Sequence, residues 1–143
     1  MKIAIDFDDT LVDGMTGEVK SYKALDVIKN WIKEGHECYI LTGRHEPEHI
    51  MEVEQFVARH GIGPLPVVSI GSYTMRLKLN HDWDILIDDS FDIWAAYEET
   101  GDTRHLIMFV DRKYEKIPAK QASTWHEVEK LVQEIVDEDP IDL

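Results

Sequence analysis

Two aspartates spaced two residues apart follow the first apolar segment of the chain. Residues 3–5 are apolar and lead directly into Asp6, Phe7 and Asp8. Because alternate side chains of a strand point to the same face, Asp6 and Asp8 project together. Repulsion between two such carboxylates is tolerable if a cation lies between them or if they divide the tasks of nucleophilic attack and proton transfer. The spacing therefore indicates a functional site.

A second acidic pair follows another apolar segment. Asp88 and Asp89 come directly after the apolar residues 85–87. Four carboxylates gathered at one sheet edge repel one another unless a hard divalent cation neutralises them, and Mg²⁺ prefers carboxylate, carbonyl and water oxygens. The sequence therefore predicts a magnesium site at Asp6, Asp8, Asp88 and Asp89, with coordination positions left for a phosphate oxygen. Taken alone, Asp88 and Asp89 also fit the acidic start of a helix.

Three polar residues elsewhere suit a bound phosphate. Thr42 ends an apolar segment and offers a hydroxyl and a backbone amide to a phosphate oxygen. Lys78 supplies a point charge that offsets both the phosphate and a nucleophilic aspartate, and Arg76 is the alternative for this role. Arg44 fits either a grip on the substrate or a structural position.

Strand and helix patterns alternate along the chain. Such alternation predicts an α/β fold, a three-layer sandwich with a parallel sheet of about five strands and helices on both faces. Ligands bind such sheets at the carboxyl ends of the strands, so the two acidic pairs and Thr42 are expected to converge. The expected strands are 3–5, 38–42, 67–70, 84–87 and 105–110, and the expected helices are 24–32, 47–60, 91–99 and 124–136.

Smaller features complete the expected domain. Residues 13–17 are rich in turn-forming types and predict a small flap near the end of the first strand. Trp31, Trp94 and Trp125 each lie in an expected helix and are interpreted as core anchors. Cys38 is expected in the core of the second strand.

Length and composition narrow the class of protein. A chain of 143 residues is expected to form a single domain over residues 1–143, with residues 137–143 as a frayed acidic tail. The formal net charge of -14 argues against nucleic acid as a partner, because nucleic-acid binders carry basic patches. The single cysteine excludes an internal disulfide and favours a cytosolic location. No apolar run approaches the roughly 20 residues of a membrane span.

These motifs, in this order, resemble the haloacid dehalogenase (HAD) superfamily of aspartate-dependent phosphohydrolases. The resemblance covers residues 3 to about 110 and implies a Rossmann-like fold. The superfamily's four motifs are an apolar strand followed by Asp-x-Asp-x-Thr, a strand ending in Ser or Thr, a lysine, and a strand ending in paired acids. They are matched in turn by Asp6, Asp8 and Thr10; by Thr42; by Lys78; and by Asp88 and Asp89.

The resemblance assigns a role to each motif. It implies that Asp6 is the nucleophile that forms an aspartyl-phosphate, and that Asp8 protonates the leaving oxygen and then activates water. Mg²⁺ would be held by the Asp6 carboxylate, the backbone carbonyl of Asp8 and Asp88, with Asp89 bound directly or through water. The residues expected to contact substrate are Thr10, Thr42, Gly43, Arg44 and Lys78.

Two subgroups of the superfamily share details with this chain. The spacing from Lys78 to Asp88 is similar to the 5'(3')-deoxyribonucleotidase group, whereas Thr42-Gly43-Arg44 is similar to polynucleotide 3'-phosphatase domains. The deoxyribonucleotidases carry a helical cap after the first motif. The intervals between Thr10, Thr42 and Lys78 are too short for a cap domain, so an open site is expected unless the flap, the loop 111–123 or a neighbouring subunit covers it.

The expected function is a magnesium-dependent phosphatase acting on a phosphorylated small molecule, with nucleotides favoured. The alternatives are a nucleic-acid 3'-end phosphatase and a catalytically idle domain that binds a phosphorylated ligand or a protein. The oligomeric state is left open, and a homo-oligomer is compatible with the sequence.

Overall fold

Six strands form one parallel sheet in the computed structural model, which describes residues 1–138. The order across the sheet places the first and fourth strands side by side at its centre. In sheet order the strands are β3 (Val67–Ser69), β2 (Glu37–Thr42), β1 (Lys2–Ile5), β4 (Ile85–Asp88), β5 (His105–Phe109) and β6 (Lys120–Ala122).

Helices connect the strands and cover the sheet. Within residues 1–138 they are α1 (Tyr22–Lys33), α2 (Pro47–Arg59), a 3-10 helix (Met75–Asn80), α3 (Phe91–Thr100) and α4 (Trp125–Glu138). Helices α1, α2 and α4 pack on one face, and α3 packs on the other with the 3-10 helix. No helix in this part of the chain is both long and apolar enough to cross a membrane.

Alternate side chains of the central strands pack into two separate hydrophobic cores. In β1, Ile3 and Ile5 join the core beneath α1, α2 and α4, whereas Ala4 joins the core beneath α3. Strand β4 repeats this pattern, with Ile87 on the first face and Leu86 on the second. A strand buried on both faces has to be apolar at every position. The predicted three-layer α/β architecture is confirmed.

The structure differs from the sequence prediction at β6 and at the acidic tail. The sheet has six strands rather than about five, because β6 forms within the segment expected to be a loop. Its sequence, Lys-Gln-Ala, has no apolar run, and the strand exists through parallel pairing with β5 at the sheet edge. Residues 137–138 lie in α4, so a frayed tail from 137 is wrong for these two. The rest of the expected tail, 139–143, lies outside the described residues.

The chain turns sharply after the first acidic motif. Asp9 has a φ of 62°, a left-handed conformation that Asp adopts more readily than most residues. Its carboxylate accepts a hydrogen bond from the backbone N–H of Gly14 at 2.8 Å. Bridges from Asp8 to Val12 and from Val12 to Val19 complete a small flap over residues 8–20.

Helix α4 supports the first motif through Trp125. This residue is buried, and its indole N–H donates to the carbonyl of Thr10 at 3.1 Å. Its ring packs against Trp31 and Phe109, with ring centroids 6.1 and 6.0 Å away. Trp31 and Trp125 are core anchors as predicted, whereas Trp94 is only half-buried. The backbone that carries the acidic motif is therefore tied to the last helix.

Replacing Trp125 by Phe removes the donor that satisfies the Thr10 carbonyl. We expect a loss of about 1–3 kcal/mol in the free energy of unfolding, because a buried carbonyl is left without its partner. The matched control is Trp94→Phe, since the Trp94 indole N–H is buried without a hydrogen-bond partner among the described residues. Urea denaturation of both variants tests this, and equal losses would contradict the role given to Trp125.

Candidate active site

The polar residues singled out in the sequence meet at one edge of the sheet. Asp6 directly follows β1, Thr42 ends β2, and Asp88 ends β4. These three strands are neighbours and parallel, so their carboxyl ends lie together. Asp6, Thr42 and Asp88 are all buried, each with 5% exposure or less. Burial of two ionisable side chains at one point requires compensating charge.

Lys78 supplies that charge from the 3-10 helix. Its side chain is fully buried, and its ammonium donates to Asp6 Oδ1 at 2.8 Å and to Asp88 Oδ2 at 2.6 Å. Arg76, the other residue considered for this role, is exposed. Of these two residues, Lys78 is the one that contacts the buried carboxylates.

The pKa values in the cluster follow from this balance. Burial alone disfavours the charge of Lys78, but the Asp6 and Asp88 carboxylates outweigh burial and raise its pKa. Burial raises the pKa of Asp88 to about 6, with the Asp6 charge adding to the shift and Lys78 opposing it. Burial and its contacts with Asp6 raise the pKa of Asp89 to about 9. One ammonium therefore does not balance the three carboxylates.

The residual negative charge coincides with a geometry suited to a metal ion. Carboxylate oxygens of Asp6, Asp88 and Asp89 lie within 4.8 Å of one another. An all-oxygen, anionic donor set suits Mg²⁺ rather than a soft metal. The residues present therefore fit a magnesium ion, and neutralisation by such an ion would remove the repulsion that raises the pKa of Asp89.

Asp8 lies outside this carboxylate group because its side chain is bound by Arg44. The guanidinium donates from Nη2 to Asp8 Oδ1 at 2.8 Å and from Nε to Asp8 Oδ2 at 2.9 Å. Arg44 also donates from Nη1 to Glu52 of α2 at 3.0 Å. The two-bond fork fixes the Asp8 carboxylate. The role of the Asp8 backbone carbonyl as a metal ligand stays a prediction.

Thr10 and Thr42 lie behind the surface of the site. The Thr10 hydroxyl is fully buried and donates to Asp6 Oδ2 at 3.2 Å, so Thr10 orients Asp6 and is not placed to contact substrate as the resemblance implied. The Thr42 hydroxyl accepts a hydrogen bond from the backbone N–H of Arg44 at 3.1 Å. That bond fixes the turn from which the Arg44 side chain reaches Asp8.

Gly43 permits a close approach between β2 and the loop after β3. A Cβ at this position would lie 2.5 Å from Met75 Cε and 3.1 Å from the backbone oxygen of Ser72. A side chain at this position would displace the end of the Met75 side chain and press on the Ser72 carbonyl. Gly43, Met75 and Tyr73 also line a cavity of about 250 Å³ that contains Asp6, Asp88 and Asp89. A larger cavity of about 670 Å³ lies at the amino-terminal ends of the strands and contains none of these acids.

A network that the sequence analysis missed holds Lys78 in place. The indole N–H of Trp83 donates to the Lys78 carbonyl at 2.9 Å. Arg104 donates to the carbonyls of Leu79 and His81 at 2.7 and 2.6 Å, and its guanidinium lies 3.7 Å from the centre of the Trp83 ring. No sequence motif marks Trp83 or Arg104, because their role depends on packing between segments distant in the chain.

The family comparison agrees with this geometry. A family model described as haloacid dehalogenase-like hydrolase matches residues 3–138. The chain belongs to this family. Haloacid dehalogenase-like hydrolases generally use Mg²⁺, in keeping with the donor set of Asp6, Asp88 and Asp89.

Comparisons with individual proteins add little to the family assignment. No curated protein matches this chain. A solved structure described as "Nitrogenase Cp1 at pH 6.5" is similar to it at 20% sequence identity and a TM-score of 0.43. The match covers 95% of this chain and 28% of the chain in that structure.

Removal of the Lys78 ammonium should expose the charge imbalance of the site. We expect Lys78→Met to lower the free energy of unfolding by about 3–5 kcal/mol in chelator, because buried carboxylates lose their partner. Mg²⁺ should restore part of this loss by neutralising the same carboxylates. Urea denaturation with and without Mg²⁺ tests both expectations.

Arg76→Met is the matched control for Lys78, since the two residues share the 3-10 helix and Arg76 is exposed. It should change the free energy of unfolding by no more than about 0.5 kcal/mol. Similar losses in the two variants, or no effect of Mg²⁺ on Lys78→Met, would contradict the charge balance described here.

Proposed function

We propose that this hydrolase is a magnesium-dependent phosphatase that hydrolyses a phosphomonoester through an aspartyl-phosphate at Asp6. The observation that carries the proposal is the environment of Asp6. Its carboxylate is held by Lys78 and Thr10, lies beside two further carboxylates, and opens into the 250 Å³ cavity. A carboxylate fixed in this way is oriented for attack on phosphorus.

Lys78 and a metal ion held by the carboxylates would reduce the repulsion between Asp6 and the phosphate during attack. A phosphate monoester is an anion, so it is repelled by Asp6 unless nearby cations offset both charges. Lys78 lies 2.8 Å from Asp6 and provides one such cation. Asp6, Asp88 and Asp89 would hold Mg²⁺, which would supply a second cation for the phosphate oxygens.

Asp8 is proposed to donate a proton to the leaving oxygen and later to accept one from water. Both of its carboxylate oxygens accept hydrogen bonds from Arg44, which is the arrangement of an ionised carboxylate. Each oxygen keeps a further lone pair that can carry the proton, so Arg44 is proposed to position the Asp8 carboxyl group toward the leaving oxygen.

The lengths of the connecting segments support an open site without a cap domain. Only the flap and α1 lie between β1 and β2, and only α2 lies between β2 and β3. An open site admits substrates of varied size. We favour nucleotides because the sequence resembles the 5'(3')-deoxyribonucleotidase group. The ends of nucleic acids are the second candidate substrate, because an open site leaves room for them. The net charge of -14 opposes such a polyanionic substrate.

Replacing the nucleophile should abolish turnover without unfolding the protein. We expect Asp6→Asn to lower phosphate release by about a thousandfold or more, because the amide is a poor nucleophile in the same position. The matched control is Asp26→Asn on the exposed face of α1. The assay compares mononucleotides, sugar phosphates and 3'-phosphorylated oligonucleotides, and full activity in Asp6→Asn would reject the mechanism.

Chelation should remove the activity, and Mg²⁺ should restore it. We expect Asp89→Asn to need about tenfold more Mg²⁺ for half-maximal phosphate release, because a carboxylate of the proposed donor set becomes neutral. Asp92→Asn, in the first turn of α3 and exposed, is the control. Titration calorimetry with Mg²⁺ alone checks the affinity independently, and equal affinities in the two variants would contradict the assignment of Asp89.

A further inference from the structure

A second cavity is lined by Asp8, the proposed acid/base residue, but not by Asp6, Asp88 or Asp89. Its volume is about 320 Å³, and it is lined by Asp8, Gly14, Arg44, His49, Glu52 and Tyr73. The 250 Å³ cavity that contains Asp6 shares three of these residues. They are Asp8, Arg44 and Tyr73, so the two cavities meet at the side chain proposed to protonate the leaving oxygen.

We propose, on the basis of the phosphatase function above, that this second cavity is the leaving-group subsite and selects a planar leaving group without a second anionic group. The leaving oxygen has to lie within hydrogen-bonding reach of Asp8 when it receives its proton. The group attached to that oxygen therefore occupies the space on the Asp8 side of Asp6. The 320 Å³ cavity fills that position and contains none of Asp6, Asp88 and Asp89.

Tyr73 supplies a surface for a planar group. Tyr73 is 57% exposed and belongs to a loop at the carboxyl ends of the strands. The ring is supported by an edge contact with His45, with ring centroids 4.8 Å apart. An exposed aromatic ring that packs on a neighbour at one edge is suited to stacking on a ring of the substrate, and a nucleobase is such a ring.

The charges in the cavity disfavour a second anion. Arg44 donates to both Asp8 and Glu52, so its charge is already shared between two carboxylates. With Asp8 ionised, two carboxylates face one guanidinium, and with Asp8 protonated the charges of Arg44 and Glu52 still cancel. A second phosphate on the leaving group would therefore find no unpaired guanidinium and would lie near Glu52, whereas the hydroxyl and amino groups of a nucleoside can donate hydrogen bonds to Glu52. The cavity accordingly favours nucleoside monophosphates over sugar bisphosphates and over the internal phosphates of an oligonucleotide.

The test for stacking compares kcat/KM for a nucleoside monophosphate and a sugar monophosphate in the Mg²⁺-loaded enzyme. We expect Tyr73→Leu to lower the ratio of nucleotide to sugar-phosphate kcat/KM by about tenfold, since only the nucleotide loses a stacking partner. The matched control is Tyr22→Leu on α1, where the tyrosine is 69% exposed and lines neither cavity. The control should leave the ratio unchanged.

The test for charge compares a sugar bisphosphate with the corresponding monophosphate. We expect Glu52→Gln to raise the bisphosphate-to-monophosphate ratio of kcat/KM by about three- to tenfold, because one negative charge leaves the cavity. Any effect on Asp8 through Arg44 alters both substrates and cancels in the ratio. Glu54→Gln, two residues along α2 and exposed, is the control.

The outcomes separate this subsite from the function on which it rests. If the ratio of kcat/KM for Tyr73→Leu or for Glu52→Gln equals that of its control variant, the proposed subsite is overturned. Phosphate release by the wild-type enzyme would in that case still support the phosphatase function. No release from any of these substrates with Mg²⁺ present would overturn the proposed function itself, and the subsite with it.

Discussion

The buried ammonium of Lys78 lies between two carboxylates, and the arrangement of the site depends on this contact. It joins the ends of β1 and β4 by hydrogen bonds of 2.8 and 2.6 Å to Asp6 and Asp88. A single positive charge allows these two carboxylates to be buried but does not compensate for Asp89 beside them. A divalent cation held by the three carboxylates would complete the balance. Without an ion, the unbalanced charge is expected to lower the stability of the fold.

Strand order explains how residues distant in the sequence come to share this charge. Parallel strands present their carboxyl ends at one edge, and the central position of β1 places Asp6 between the ends of β2 and β4. The 3-10 helix brings Lys78 to the same edge, where Trp83 donates to the Lys78 carbonyl and Arg104 donates to the Leu79 carbonyl. Helix α4 fixes the opposite side through the bond from Trp125 to Thr10. Both sides of the cluster are therefore set by packing outside it.

The sequence predicts the parts of the site that depend on local periodicity. Buried strands and strand-end acids are visible in the order of residues, so Asp6, Thr42 and Asp88 could be assigned to one edge before any coordinates. Strand β6 was missed because its short polar sequence becomes a strand only through pairing with β5. The fork from Arg44 to Asp8 was missed because it depends on side-chain directions across 36 residues. Tyr73 follows β3 and could have been placed at the same edge from the strand rule alone.

The central claim is that Asp6, Asp88 and Asp89 together hold a divalent ion. Its most direct test is the anomalous scattering of Mn²⁺ in crystals grown with that ion in place of Mg²⁺. The account predicts an anomalous peak bounded by the carboxylates of these three residues. An absence of density there, with Mn²⁺ bound instead between Asp8 and Glu52 or elsewhere on the acidic surface, would contradict it.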